Sequence, residues 1–295
     1  MDITVEIGTP EIQDTIKKEL CILDHICGLF DPRLALQEVI VPSDFDSSVN
    51  NQQGTKTYKS ERSSHVAVAK LIKTNNQYTL ILSPILYAEI YDTLCRTFFY
   101  LHEIIHLYDS QNSCCLPCCN NIPAYYIGDM YIIFGEYCAD RKAYKIIDEL
   151  FPEQSMIYQK FVEEMLVGHV ATLANDVEFY HVIRQEIISF RRHGDVHRFI
   201  NNIGTPYHEV AIAMAHAYAG LDHFSSFKEV KQKLNATRFH DEKAIQLMAF
   251  IRTKYAENDM ILLDGIPFME AFMTNFGIRF EILTSGELYC HVLDI

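Results

Sequence analysis

Three things are scarce in this sequence: tryptophan, basic residues and long apolar runs. Tryptophan is absent from the 295 residues, although 17 tyrosines and 18 phenylalanines supply aromatic side chains for a core. Lysine and arginine total 25 against 39 aspartates and glutamates, which gives a formal net charge of -14. Because an acidic chain repels phosphate backbones and anionic lipids, this balance argues against binding to nucleic acid or to a membrane surface.

The start of the chain also lacks the pattern of a leader. Residues 1–6 show no basic segment followed by an apolar one, and no later run approaches the length of a membrane span. The sequence has nine cysteines, an odd count that favours free thiols in a reducing compartment over a disulfide framework. We therefore expect a cytoplasmic protein.

Four of these cysteines fall within residues 114–119, where a Cys-x-x-Cys step could contribute to a second metal site or to redox chemistry. One such pair supplies two ligands, and the sequence shows no matching second pair. The role of this segment stays open.

The rest of the composition is that of a folded protein, with 49% hydrophobic and 22% charged residues. In the first third, Thr9 and Pro10 predict the start of a helix that ends near Gly28. The polar segment 42–62 predicts a loop. Alternation predicts three strands, of which the last two form a hairpin through Asn75 and Asn76: residues 36–41, 64–72 and 77–83.

Residues from about 86 to 274 follow a helical period, and residues 279–293 predict a β-hairpin. The fold class is therefore α+β: a small N-terminal antiparallel or mixed sheet with a candidate active-site helix, followed by a mostly helical region. We place a catalytic core in residues 1–150 and a helical region that completes the cleft in residues 151–295. These two parts can also form one continuous domain.

The most apolar predicted helix ends in the motif H-E-x-x-H, formed by His102, Glu103 and His106. Residues four apart lie on one face of a helix, so both imidazoles can point at one ion. Zinc accepts neutral imidazole nitrogens, and a hydrolytic site keeps one position open for water. Glu103 lies beside the pair, and we predict that it is the general base that takes a proton from that water.

A third ligand should come from another segment of the chain. Asp109 shares a face with His102, but at 1.5 Å per residue it lies about 10.5 Å farther along the axis. Glu136, in the next predicted helix, is the best candidate. Asp140 lies one turn later, and we predict that it accepts a hydrogen bond from a ligand imidazole.

A simpler interpretation of these two carboxylates also exists. In that interpretation Glu136 lies on the helix surface, and Asp140 pairs with Arg141 or Lys145 nearby.

H-E-x-x-H followed by a helix with E-x-x-x-D resembles the gluzincin class of zinc metallopeptidases. The 30-residue step from His106 to Glu136 is similar to that of compact intracellular members that cleave repressors. The resemblance covers about residues 64–145. It implies a zincin-like fold, Zn²⁺ held by His102, His106 and Glu136, Glu103 as general base, and a protein or peptide substrate.

The family often uses a tyrosine or histidine to stabilise the tetrahedral oxyanion. Tyr207 and His208 are our candidates, because Thr205 and Pro206 look like a helix start, where the helix dipole favours negative charge. Other tyrosines and histidines are available for the same role: Tyr125, Tyr126, His181, His216 and His223.

The sequence thus predicts zinc-dependent hydrolysis of a peptide bond. One alternative is a metal-binding regulatory or interaction protein with a dormant peptidase site, although the intact Glu103 argues against it. Another is a metal-dependent hydrolase that acts on a different amide.

Overall fold

The computed structural model describes residues 1–30, 36–62, 65–75, 77–88, 90–112, 124–153 and 156–293. These residues form a mixed α+β protein with a small mixed sheet and a large helical region, which confirms the predicted class. The zincin-like version of that class stays a prediction. None of the described helices has the length and apolar character needed to cross a membrane.

The strands in chain order are β1 (Asp2–Val5), β2 (Leu36–Val41), β3 (Glu61–Arg62), β4 (His65–Val66), β5 (Ala69–Thr74), β6 (Gln77–Leu82), β7 (Ile278–Ile282) and β8 (Leu288–Val292). The α-helices are α1 (Pro10–Leu20), α2 (Ile22–Phe30), α3 (Phe45–Gln53), α4 (Thr93–Asn112), α5 (Ala124–Leu150), α6 (Met156–Ala174), α7 (Asp176–His193), α8 (Val196–His223), α9 (Lys228–Asn235), α10 (Glu242–Glu257) and α11 (Ile266–Met273).

Contacts between residues divide the chain into two compact units. The first comprises Met1–Ser113 and Lys142–Phe161, and the second comprises Cys114–Arg141 and Val162–Ile295. The continuous helices α5 and α6 each contribute to both units. The predicted domain boundary at residue 150 stays a prediction.

The first unit contains a four-stranded sheet in the order β1-β2-β6-β5. Strands β1, β2 and β6 are parallel, whereas β5 runs antiparallel to β6 at the edge. The β5–β6 hairpin is confirmed, since Thr74 pairs with Gln77. Asn75 adopts a φ of 50°, a left-handed conformation that asparagine tolerates in tight turns.

The N-terminal helix differs in part from its prediction. Thr9 precedes the helix and Pro10 occupies its first position as expected, but the Thr9 side chain makes no capping hydrogen bond. The helix ends at Leu20, and Gly28 lies inside the separate helix α2 instead of ending the first one.

The prediction of a loop over residues 42–62 is wrong, because this segment contains helix α3. Asp44 caps the helix by accepting a hydrogen bond from the Ser47 amide at 3.0 Å. Phe45 and Val49 are buried in a cluster with Ile72 of β5. One apolar residue per turn was too weak a period to predict this helix from the sequence.

Helix α4, which carries the H-E-x-x-H motif, is anchored to α1 by a bidentate ion pair between Arg96 and Glu19. Arg96 Nε and Nη2 each donate to a carboxylate oxygen of Glu19 at 2.6 Å. The Tyr100 hydroxyl also donates to Glu19 at 3.1 Å. The rest of α4 is largely buried, as its apolar sequence predicts, and it contacts β5 and α2.

The second unit contains the C-terminal hairpin that the sequence predicts, with β7 and β8 antiparallel. Helix α8 passes very close to α6 at Gly220. A Cβ atom at this position would lie 2.3 Å from Cδ2 of Leu166, so the approach requires glycine or a shift of that leucine.

Replacing Glu19 by glutamine tests the anchor of α4. The side chains of Arg96 and Glu19 are only 13% and 18% exposed, so the change leaves a largely buried guanidinium without its counter-ion. We expect the free energy of unfolding, measured in urea, to fall by about 3 kcal/mol.

Glu149→Gln is the matched control. Glu149 pairs with Lys145 at 3.9 Å, with both side chains more than 60% exposed, and we expect a loss below about 0.5 kcal/mol. Equal losses in the two variants would show that the Glu19 pair does not anchor α4.

Candidate metal centre

The two histidines of the motif converge as the helical spacing predicts. His102 and His106 are both partly buried on α4. Their Nε2 atoms lie 3.0 Å apart, and the ring planes meet at 80° with centroids 4.6 Å apart. Two nitrogens bound to one tetrahedral zinc at the usual bond length lie about 3.3 Å from each other. The pair is therefore close to the arrangement that one ion requires.

Two contacts in the first unit hold the end of α5 against α4. Lys142 Nζ donates to Asp109 Oδ1 at 2.8 Å. Two residues later on α5, the ring of Tyr144 stacks on Phe98 with centroids 5.0 Å apart. The sequence argued against Asp109 as a third ligand because of its distance along α4. In the structure, Asp109 pairs with Lys142.

Glu136 lies on the same continuous helix, six residues before Lys142. One ligand atom from each of His102, His106 and Glu136 lies within 4.8 Å of the other two. No other group of three or more histidines, cysteines and carboxylates among the described residues has ligand atoms this close together. The three residues of this group, which could hold a metal ion, are those that the sequence predicts as ligands. That they bind one stays a prediction.

The chemistry of these donors fits a divalent metal ion. Two imidazoles and one carboxylate form a ligand set that catalytic zinc sites use, and they leave a fourth position open. The same donors also bind other first-row metals, so the geometry by itself does not select zinc.

Glu103 follows the first histidine and is partly exposed. Among the described residues it has no hydrogen-bonding or ionic partner. Its carboxylate is thus available to exchange a proton with a bound water or substrate, as the predicted role of general base requires.

Asp140, one turn after Glu136, has a fully buried side chain on α5. Its Oδ2 atom accepts a hydrogen bond of 2.7 Å from Nδ1 of His216. The predicted hydrogen bond from a ligand imidazole to Asp140 stays a prediction.

His216 is the main residue at this site that sequence reasoning did not place. Besides its bond to Asp140, it brings Nε2 to 3.5 Å from Oε2 of Glu136. The imidazole of His169 stacks against it with centroids 4.5 Å apart. The sequence named His216 among several oxyanion candidates, but no local signal pairs a residue of α8 with one 76 positions earlier.

Tyr207 and His208 were predicted to stabilise the oxyanion because a helix was expected to begin at Thr205 and Pro206. That expected helix start is wrong. Pro206 lies inside α8, which begins at Val196, so neither residue lies in a first helical turn. The helix continues through the proline because apolar side chains are buried on both sides of it, and Phe199 and Ile203 precede it. The helix dipole therefore gives no support for an oxyanion role at these two positions.

Both side chains have other contacts. The Tyr207 ring is buried, its hydroxyl lies 4.0 Å from Sδ of Met269, and burial raises its pKa well above the usual value. His208 Nε2 lies 3.0 Å from Oδ1 of Asp129. Burial raises the pKa of the Asp129 carboxyl, and the hydrogen bond with His208 opposes that shift. Whether either residue contacts a substrate stays a prediction.

The cysteine cluster at residues 114–119 lies outside the described residues. Its predicted metal or redox role therefore has no structural account.

Comparison of the chain with protein families, with curated proteins and with solved structures yields no match. The resemblance to gluzincins accordingly rests on the motif residues and their geometry.

Measuring bound metal tests the site directly. Protein purified without added metal should contain one zinc per chain by elemental analysis, and it should bind zinc again after chelation. Glu136→Ala removes a ligand, so we expect a larger loss of affinity than the roughly 10–100-fold that follows loss of an outer partner.

The matched control is Glu149→Ala, which removes an exposed carboxylate from the same helix and should leave zinc binding unchanged. A parent protein that binds no zinc on titration would show that the cluster is not a zinc site.

Proposed function

We propose that this protein is a zinc-dependent metallopeptidase of the gluzincin type. The observation that carries the proposal is the approach of His102, His106 and Glu136 to within 4.8 Å of one another. Two of these residues come from one motif, but the third lies 30 positions later on a different helix. A chance H-E-x-x-H sequence has no reason to meet a carboxylate at this point.

His102, His106 and Glu136 would hold the metal, and a set of three protein ligands would leave room for water or substrate. When bound, zinc supplies a Lewis acid that lowers the pKa of water and polarises a scissile carbonyl. Glu103 accepts the proton that the attacking water loses and delivers it to the departing amine. A partly exposed carboxylate without a partner among the described residues suits this exchange.

The sheet offers a place for an extended substrate. Strand β5 is at the edge of the sheet, and it contacts α4, the helix that carries the motif. A peptide that pairs with an edge strand is recognised mainly through its backbone. Such binding suits a protein or peptide substrate better than a small amide.

Glu103→Gln separates catalysis from metal binding. The amide cannot accept the proton, but no zinc ligand changes, so the variant should retain its zinc. We expect cleavage of a peptide library, followed by mass spectrometry, to slow by about 10²–10⁴-fold. Glu149→Gln should cleave at the rate of the parent.

Two outcomes would contradict the proposal in different ways. Undiminished cleavage by Glu103→Gln would show that Glu103 is not the general base. A zinc-loaded parent without any cleavage products would indicate a regulatory protein with a dormant site.

A further inference from the structure

His216 connects two carboxylates that lie one turn apart on α5. Its Nδ1 atom is 2.7 Å from Oδ2 of Asp140, and its Nε2 atom is 3.5 Å from Oε2 of Glu136. The shorter contact is a hydrogen bond, and the longer one lies within the roughly 4 Å at which a protonated imidazole and a carboxylate form an ion pair. A single imidazole thus faces both the candidate ligand and the buried carboxylate behind it.

The orientation of this imidazole is restricted on several sides. The Asp140 side chain is only 1% exposed, so its hydrogen bond lies away from water. The ring of His169 is stacked on the face of His216, with an angle of 28° between the planes. Rotation of His216 would break the bond to a buried carboxylate, which is costly when no water can replace it.

The Glu136 side chain is intrinsically less restricted than the His216 ring, because a glutamate side chain has three rotatable bonds and many conformers in solution. Ordering a ligand side chain when the metal binds lowers the affinity of the site for the metal, whereas a side chain that is already ordered avoids this cost. The contact of Oε2 with the fixed ring of His216 limits the conformers that Glu136 can adopt.

We propose that His216 is a positioning residue that orients the Glu136 carboxylate for metal binding. This inference rests on the proposed function, since it assigns a metal to the same site. Asp140 then acts through His216: it fixes the imidazole, and the imidazole fixes the ligand. His216 on α8 lies 76 residues after Asp140 in sequence, and through it this helix contributes to metal affinity.

A second pair on the same two helices provides a matched control. His208 on α8 binds Asp129 on α5 at 3.0 Å, and Asp129 is as deeply buried as Asp140. Neither residue is among the three candidate ligands. Replacing His208, whose side chain is 40% exposed against 14% for His216, therefore removes a helix-to-helix hydrogen bond without touching Glu136.

The experiment compares zinc dissociation constants of the parent, His216→Ala, His216→Gln and His208→Ala by competition with a chromophoric chelator. We expect His216→Ala to bind zinc about 10–100-fold more weakly. His216→Gln should lose less, because its amide can donate to one carboxylate. His208→Ala should bind zinc as the parent does, even if its thermal stability falls by a similar amount. If His216→Ala does not fold, the glutamine variant provides the comparison.

Cobalt substitution provides a spectroscopic readout that a general loss of stability would not reproduce. The visible absorption bands of Co²⁺ in His216→Gln should keep the positions seen in the parent, because the ligand set is unchanged. Shifted bands would show that His216 is itself a ligand and would overturn a positioning role.

The remaining outcomes separate this inference from the proposed function. If the parent and both His216 variants bind zinc equally, the positioning role is wrong and the metal site stands. If the parent binds no zinc, both the positioning role and the proposed function are wrong.

Discussion

The packing of the end of α5 against α4 depends on the ion pair of Lys142 with Asp109 and, two residues later, on the ring stack of Tyr144 on Phe98. Two contacts along one helix determine both its rotation and its axial position against α4. Glu136 belongs to the same continuous helix, six residues before Lys142. The motif provides two imidazoles, and one ligand atom of Glu136 lies within 4.8 Å of a ligand atom of each.

Paired histidines and carboxylates line the facing sides of α5 and α8. Asp129 meets His208, and farther along both helices Asp140 meets His216, so the two helices run in the same direction at these contacts. A buried carboxylate without a partner would strongly destabilise the fold. Each pair therefore gives its buried carboxyl group a hydrogen-bond partner, and one of the two also borders a candidate metal ligand.

This arrangement links metal affinity to packing far from the motif. His216 contributes to both stability and the candidate site, because it hydrogen-bonds the buried carboxylate of Asp140 and also faces the candidate ligand Glu136. Catalytic sites hold their ligands with such outer contacts because an ordered ligand binds the ion without a loss of conformational entropy. Helix α8 thereby acquires a role that its mostly apolar sequence does not suggest.

Prediction from the sequence succeeded where the pattern is strong and failed where packing decides. Strands β2 and β6, the hairpin at Asn75 and the apolar helix α4 all follow from runs of apolar residues or clear turn residues. Helix α3 was missed because its stability comes from a cap and two buried side chains. Pro206 suggested the start of a helix, since proline favours the first helical position, but it lies inside α8, where buried residues on both sides maintain the helix.

The sequence by itself determined the spacing of His102, Glu103 and His106, because covalent geometry and the helical repeat place residues four apart on one face. It also pointed to Glu136 through the composition of the next helix. Only the tertiary structure decided that Glu136 reaches the two imidazoles and that His216 faces it. These contacts join segments 30 to 80 residues apart, and their positions depend on side-chain packing, which no local pattern in the chain encodes.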